Sequence, residues 1–233
     1  MPSKLFEIEE IGKIKVVRSK RSKHIRLSIK ADNTILVSAP YWTPYRIALE
    51  FVHRKKEWIK SNLSHQEYIY HGDKIGKAHR LLIESTDVKR PYSTIKNNEI
   101  IIKFPRSMEV NSPEIQNLIK KKSIQALTIE AESLLPQRIR VISERNGLPY
   151  SSVTIKSMKS RWGSCNSKKE IALSCYLMQL SWKEIDYVIT HELAHTKHMS
   201  HDKSFWGLVV SKMPDAIEVK KILKTKKPNI IAQ

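Results

Sequence analysis

The segment SWKEIDYVITHELAH, residues 181–195, predicts a helix that carries two histidines four positions apart. Ser181 opens a capping box, so the helix is expected to begin there. On a helix, His191 and His195 lie on one face about 6 Å apart along the axis, so both imidazoles can reach one ion. Glu192 completes the pattern HExxH, which is typical of zinc sites where a glutamate takes a proton from the activated water.

Two more histidines follow within six residues of the motif, and either can supply a third ligand. His198 stays near the same face if the helix continues. His201 requires the chain to turn back, and Met199-Ser200 before Asp202, a predicted cap of another helix, favours that turn. We therefore favour His201. The spacing HExxHxxxxxH is also that of metzincins, but His198 occupies the position of their turn glycine, which argues against membership.

The composition indicates a basic globular protein. Among 233 residues, 42 Lys and Arg stand against 23 Asp and Glu, a net charge of +19, and 40% of residues are hydrophobic. This excludes an acidic solvating protein and a collagen-like or low-complexity chain. No apolar run is long enough for a signal peptide or a membrane span, so we expect a cytoplasmic protein that does not bind membranes. Cys165 and Cys175, without any CxxC, are predicted to be free thiols.

The N-terminal third carries a cationic hairpin. Residues 13–30 contain eight Lys and Arg and no acid, and apolar side chains alternate with cations over 25–29. This alternation predicts a strand, and it resumes at Ile35 after a turn at Asp32-Asn33. A helix is expected to follow Thr43 and to extend to Leu63, before a loop over 64–78.

Further strands are predicted over 79–84 and on both sides of Asn97-Asn98. Residues 1–105 are therefore interpreted as a β-rich unit with one helix, and residues 106–233 as the catalytic domain, so that the fold class is α+β. In the catalytic domain, a long helix should begin at Pro113 and end at Asn146-Gly147.

Three features of the catalytic domain complete this interpretation. Pro136 is expected to kink or split the long helix. A short strand is predicted around Val153 and Ile155, and a longer one over 170–180. The basic end of the chain, residues 220–233, is expected to be a mobile tail.

The motifs RWGSC (161–165), IAL (171–173) and HELAHxxHxxHxxxFW (191–206) together resemble the YgjP-like metal-dependent hydrolases, relatives of the SprT and WLM metallopeptidases. The N-terminal RSKRSKHIRLSIKADNTILVSAP (18–40) is similar to that family's opening hairpin. The resemblance implies a zincin-like fold with His191, His195 and His201 as Zn²⁺ ligands and Glu192 as catalytic base. SprT relatives often add a zinc ribbon or a DNA-binding tail, and this chain has neither, which argues against a role as a repair protease.

Arg161 precedes strand 170–180, which we expect to be an edge strand that receives an extended substrate. Its guanidinium is therefore a candidate to stabilise an oxyanion or a phosphate oxygen. Equally, Arg161 and Trp162 can simply pack and hydrogen-bond their loop. Phe205 and Trp206 are predicted to anchor the last helix in the core rather than to contact substrate, and Cys165 is not expected to bind the metal.

Three functions are compatible with the sequence. The first is a zinc metallopeptidase that acts on polypeptides, with Glu192 as general base. The second is a nucleoside triphosphate pyrophosphatase or another phosphate hydrolase, because the resemblance includes such a branch and a surface of net charge +19 attracts polyphosphates. The third is a nucleic-acid-associated module that uses the basic N-terminal hairpin, although no helix-turn-helix, zinc finger or aromatic-stacking motif is present.

Overall fold

The computed structural model describes residues 3–8, 11–29, 34–62 and 69–230. The chain divides into two compact units at residues 67 and 68. Several sequence predictions lie outside the described residues: the turn at Asp32-Asn33, the helix end at Leu63 and part of the predicted loop 64–78. Each unit is described by itself below.

The first unit is a four-stranded sheet followed by two helices. Its strands are β1 (Ser3–Ile8), β2 (Gly12–Ser19), β3 (Arg26–Ile29) and β4 (Ile35–Pro40), in the order β1-β2-β4-β3. The predicted hairpin is confirmed, because β3 pairs antiparallel with β4 and Ile29 lies opposite Ile35. Where one helix was predicted there are two, α1 (Tyr45–Arg54) and α2 (Lys56–Asn62), and their buried side chains share one core with the sheet.

The second unit begins with another four-stranded sheet, in the order β5-β6-β8-β7. Its strands are β5 (Lys74–Ile75), β6 (His79–Thr86), β7 (Tyr92–Lys96) and β8 (Glu99–Pro105). Asn97 and Asn98 both have positive φ, as a two-residue hairpin turn requires. Buried side chains of β6 and β8 pack in the same core as those of the long helix α3 (Pro113–Asn146). The division of the chain therefore differs from the predicted boundary at residue 105, because this sheet needs α3 to cover its apolar face.

A buried glutamate of α3 joins the long helix to this sheet. The side-chain oxygens of Glu130 accept hydrogen bonds from the backbone N–H groups of Lys77, Ala78 and His79 at 2.6–3.1 Å, and from Nδ1 of His79 at 2.6 Å. Gly76 lies so close that a Cβ there would overlap the Glu130 carboxyl group. Glu130 thus holds the turn between β5 and β6, which satisfies three backbone donors at once.

Helix α3 runs through Pro136 as one element, so of the two predicted effects the split is absent and the kink stays a prediction. The helix ends at Gly147, whose φ of 64° allows the Schellman pairing of Leu148 N with Ser143 O. The chain then forms a three-stranded sheet of β9 (Ser152–Lys156), β10 (Gly163–Cys165) and β11 (Glu170–Ser174).

The order of this small sheet is β10-β11-β9, so β11 is its central strand. The prediction of an edge strand over 170–180 is therefore wrong in two respects. First, the strand ends at Ser174, because residues Cys175–Gln179 form a buried 3-10 helix. Second, β11 is paired on both sides, with β10 and with β9. The two edge strands of this sheet are β9 and β10.

Three helices complete the second unit: α4 (Trp182–Ala194), α5 (Lys203–Lys212) and α6 (Ala216–Leu223). The capping box predicted at Ser181 is present, with both reciprocal hydrogen bonds to Glu184. Arg138 of α3 donates two hydrogen bonds of 2.7 and 2.6 Å to Asp186, which fixes α4 against the long helix. The mixed α+β class is thereby confirmed. None of the helices in the described part of the chain combines the length and apolar character that crossing a bilayer requires.

Candidate metal centre and active-site pocket

Three histidines converge at the C-terminal end of α4. His191, His195 and His201 each offer one ring nitrogen, and these nitrogens lie within 4.8 Å of one another. Nε2 of His191 is 3.1 Å from Nε2 of His201. In a tetrahedral site with Zn–N bonds of about 2.0–2.1 Å, neighbouring nitrogens lie roughly 3.3 Å apart. The spacing of His191 and His201 therefore matches that of two zinc ligands, and imidazole nitrogen is a ligand that zinc and similar divalent metals prefer.

The sequence offered two candidates for the third ligand, His198 and His201, and the structure brings His201 to the cluster. His198 contributes its backbone carbonyl instead, which accepts a hydrogen bond of 3.0 Å from Nδ1 of His195. That bond fixes the ring of His195 and leaves its Nε2 free to bind a metal. Nδ1 of His191 is buried and has no hydrogen-bond partner within the described chain, whereas its Nε2 faces Nε2 of His201.

The turn that carries His201 is built by the start of α5. Asp202 caps this helix, as predicted, because its side chain accepts a hydrogen bond of 3.0 Å from Phe205 N. The fully buried Phe205 ring then packs against all three imidazoles, with centroid distances of 4.9, 4.5 and 4.7 Å. The prediction that Phe205 anchors the core is confirmed. Its contacts also hold the three rings in place.

The surroundings of His191 and His195 favour their neutral forms. Burial, with smaller contributions from the positive charges of His195, His201 and Lys220, lowers the pKa of His191 to about 3. Burial likewise lowers the pKa of His195, and the hydrogen bond to His198 acts against this shift. Neutral imidazole is the form that binds a metal, so these two rings are ready to coordinate at neutral pH.

Glu192 lies next to the cluster and is 6% exposed. Burial raises its pKa to about 8, and the charge of Arg161 opposes that shift. A divalent cation at the histidines would act in the same direction as Arg161, since it favours the charged carboxylate. A Cβ at Gly163 would lie 2.7 Å from both Cγ and Oε1 of Glu192. Strand β10 therefore approaches the glutamate as closely as it does because residue 163 has no side chain.

A pocket of about 310 Å³ opens beside Glu192. Arg161, which the sequence analysis proposed as an oxyanion-stabilising residue, lies in the wall of this pocket together with His191. Its walls are otherwise formed by apolar and cationic side chains from β10 and its preceding loop, α4 and α6, and its lining residues are Arg161, Trp162, Gly163, Tyr187, Val188, His191, Glu192, Lys220, Leu223 and Lys224.

Sequence reasoning missed three polar residues of this pocket, Tyr187, Lys220 and Lys224. Tyr187 precedes His191 by one helical turn, a spacing that places both on one face and could have identified it. Burial and the nearby Glu192 raise the pKa of Tyr187 to about 12, so it remains a neutral hydroxyl. Lys220 and Lys224 belong to α6 and its C-terminal cap, within the segment expected to be a mobile tail. That expectation is wrong for residues 220–223, which are helical.

The two cysteines are free thiols, as predicted. Cys165 lies on β10, and burial together with Glu192 raises the pKa of its thiol to about 11. A thiol in this state is a poor metal ligand. Cys165 is not among the residues whose ligand atoms converge at the histidines.

Comparison with known proteins identifies the family to which the chain belongs. The family model described as YgjP-like, metallopeptidase domain, matches residues 23–226. The chain therefore belongs to the YgjP-like metallopeptidase family, which confirms the resemblance seen in its motifs. No curated protein matches the chain.

Two solved structures show partial similarity, and both are metallopeptidase zymogens. Abylysin of Pyrococcus abyssi is 25% identical with a TM-score of 0.35, and the match covers 40% of this chain and 94% of abylysin. Jannalysin of Methanocaldococcus jannaschii is 26% identical with a TM-score of 0.32, covering 38% of this chain and 93% of jannalysin.

Proposed function

We propose that the protein is a zinc-dependent peptidase. The observation that carries this proposal is the convergence of His191, His195 and His201 beside Glu192, in a pocket whose wall includes an unpaired sheet edge. Membership in a metallopeptidase family supports the same reaction class. Zinc held by the three imidazoles would supply Lewis acidity toward a carbonyl oxygen and toward a water.

The residues of the chain have separate roles in this proposal. The Glu192 carboxylate accepts a proton from the attacking water and passes it to the leaving amine. Arg161, in the wall of the same pocket, stabilises the negative charge that develops on the carbonyl oxygen. Val188 and Leu223 contribute apolar surface that keeps water away from these charges.

Strand β10 supports a polypeptide substrate over a nucleotide. Its residues Gly163–Cys165 pair with β11 on one side, and no strand of the described chain pairs with the other side. Such an edge offers backbone donors and acceptors to an extended peptide, which can join the sheet as one more strand. Because Gly163 touches Glu192, a peptide bound along β10 passes the proposed base.

The test is zinc-dependent turnover of two substrate panels, unfolded proteins and nucleoside triphosphates. We expect cleavage of protein that stops when zinc is chelated and returns when zinc is added. Release of phosphate or pyrophosphate, with no cleaved protein, would contradict the proposal and would assign Arg161 to a phosphate oxygen instead. Mass spectrometry of the protein products and ion chromatography of the nucleotide reactions measure the two outcomes separately.

A second candidate function, association with nucleic acid, is favoured by the first unit alone. A cavity of about 430 Å³ there is lined by Arg21, Ser22, Lys23, His24, Arg26 and Ser38. In the same unit, Trp42 is 72% exposed. Cations that follow a phosphate backbone and an exposed aromatic ring that stacks on bases are the two features that single-strand binding uses.

Reversing the charges of Lys20, Arg21 and Lys23 to Glu is expected to reduce the salt dependence of single-stranded RNA binding. If each contacts one phosphate, the slope of log K against log salt falls by about 2, at about 0.7 per contact. Fluorescence anisotropy over a salt series measures this slope.

The matched control reverses three exposed cations of the second unit, Lys89, Arg90 and Lys168, which changes the net charge equally. This control should retain the slope of the unaltered protein. Equal slopes for all three proteins would remove the first unit as the binding surface.

A further inference from the structure

The active-site pocket has a strong excess of positive charge. Three cationic side chains line it, from Arg161, Lys220 and Lys224, against one acid, Glu192. Glu192 is buried and is assigned to proton transfer, and it is the one carboxylate among the lining residues. Two of the three cations, Lys220 and Lys224, come from α6 and its cap, and the proposed chemistry has not used them.

Other lysines in this part of the fold are paired with carboxylates. Lys183 Nζ lies 2.6 Å from Asp215, and Lys226 Nζ lies 2.6 Å from Glu184. Within the described residues, no carboxylate lies within ion-pair distance of Lys220 or Lys224. The two lysines are four positions apart, so their ammonium groups lie on one face of the helix.

The ammonium group of Lys220 has a defined position close to the metal ligands. Its Nζ lies 3.6 Å from the centroid of the Trp206 ring, a cation–π contact. The Trp206 ring in turn stacks on His201, with centroids 5.9 Å apart and an angle of 27° between the rings. Lys220 is thus held beside the histidine cluster at one end of the pocket.

We propose that Lys220 and Lys224 bind a carboxylate of the substrate, so that the enzyme cleaves peptide bonds close to an acidic residue. This inference rests on the proposed peptidase function. Apolar side chains of Trp162, Val188 and Leu223 line the same pocket and would contact the methylene groups of a Glu or Asp side chain. The C-terminal carboxylate of a peptide has the same chemistry and would bind the same two lysines.

The first experiment identifies the cleaved bonds in an unfolded protein by mass spectrometry and then compares matched peptides. At the residue beside the cleaved bond, the peptides carry Glu, Gln or Lys, each with a free or an amidated C-terminus. We expect kcat/KM for the Glu peptide to exceed that for the Gln peptide about ten-fold or more, the discrimination of one charge-assisted hydrogen bond. If the carboxylate comes from the C-terminus, amidation causes the loss instead.

The second experiment assigns this preference to α6. The variant Lys220→Glu/Lys224→Glu is expected to lose the preference for the Glu peptide and to favour the Lys peptide. Lys221→Glu is the matched control, because Lys221 is exposed on the same helix and does not line the pocket. It should retain the preference of the unaltered protein. Fluorescence anisotropy with the inactive Glu192→Gln protein gives peptide affinities independently of turnover, and should show the same order.

The outcomes separate this inference from the function on which it rests. Equal cleavage of the acidic and neutral peptides, with either C-terminus, would overturn the carboxylate site and leave the peptidase intact. The same holds for a preference that survives reversal of both lysines. If no peptide of any sequence is cleaved in the presence of zinc, the proposed function itself fails.

Discussion

Replacement of Glu192 by Gln is expected to lower turnover of every substrate by roughly 10²- to 10⁴-fold, the usual contribution of a general base. Gln has nearly the same shape as Glu, so the buried side chain still fits between α4 and Gly163. Its amide cannot accept the proton of the attacking water. Because Glu192 is not one of the three converging ligands, the bound zinc measured by atomic absorption should remain at one per chain.

Glu132→Gln is the matched control for this variant. Glu132 lies on the exposed side of α3, so the same chemical change is made away from the pocket. Its turnover should equal that of the unaltered protein. Retained activity in Glu192→Gln would remove Glu192 as the base, whichever substrate is used, whereas loss of zinc from the variant would show that Glu192 acts on the metal site instead.

Substitution of Gly163 by Ala is expected to reduce kcat about 100-fold without unfolding the protein. The added methyl group would lie 2.7 Å from Cγ and Oε1 of Glu192, too close for either atom to remain in place. The glutamate side chain must therefore move, and misplacement of a catalytic group by about 1 Å can cost 10²-fold in rate. Gly163 does not have a positive φ, so its backbone accepts alanine without strain.

The effect of Gly163→Ala must pass through Glu192 if this account is correct. The double variant with Glu192→Gln should therefore be no slower than Glu192→Gln alone, which is the non-additivity expected of two residues in contact. Gly207→Ala is the control, because a Cβ at Gly207 of α5 meets no atom within 4 Å. It should retain full activity. Independent, additive losses in the double variant would mean that Gly163 is needed for something other than the position of the glutamate.

The convergence of the three histidines was predictable from sequence because its geometry is local. A capping box sets where α4 begins, and four-residue spacing then places two histidines on one face. The position of His201 also follows from a local feature, the cap that Asp202 provides for α5. The three histidines and the glutamate beside them therefore all come from eleven consecutive positions, 191–201.

The substrate side of the pocket depends on non-local pairing, and there the sequence was misleading. The run from Ile171 to Leu180 is apolar except for Ser174 and Gln179, and periodicity cannot distinguish a long strand from a short strand followed by a buried 3-10 helix. The order of the strands in the small sheet likewise cannot be predicted from the sequence, because β10 has only three residues and shows no alternation of apolar and polar side chains. The edge strand was therefore assigned to the wrong segment.

Helix α6 shows a different cause of error. The five lysines in residues 220–227 are typical of a solvated tail, yet Val219 and Leu223 are buried four positions apart. That spacing was present in the sequence and indicates a helix with one apolar face. Composition was given more weight than periodicity, so the two lysines that line the pocket were assigned to the tail.

The hydrogen bonds of Glu130 have a consequence for how the second unit folds. The turn at residues 76–79 is completed by a side chain more than fifty positions later in the chain. The hairpin of β5 and β6 therefore gains its full stability only once α3 has docked, which makes its formation a late, long-range event. In the native protein, we expect the amides of this turn to exchange more slowly than those of a turn without such a partner. A surface turn, ordinarily among the first parts of a protein to fray, thereby shares the cooperative stability of the core that supports the histidines.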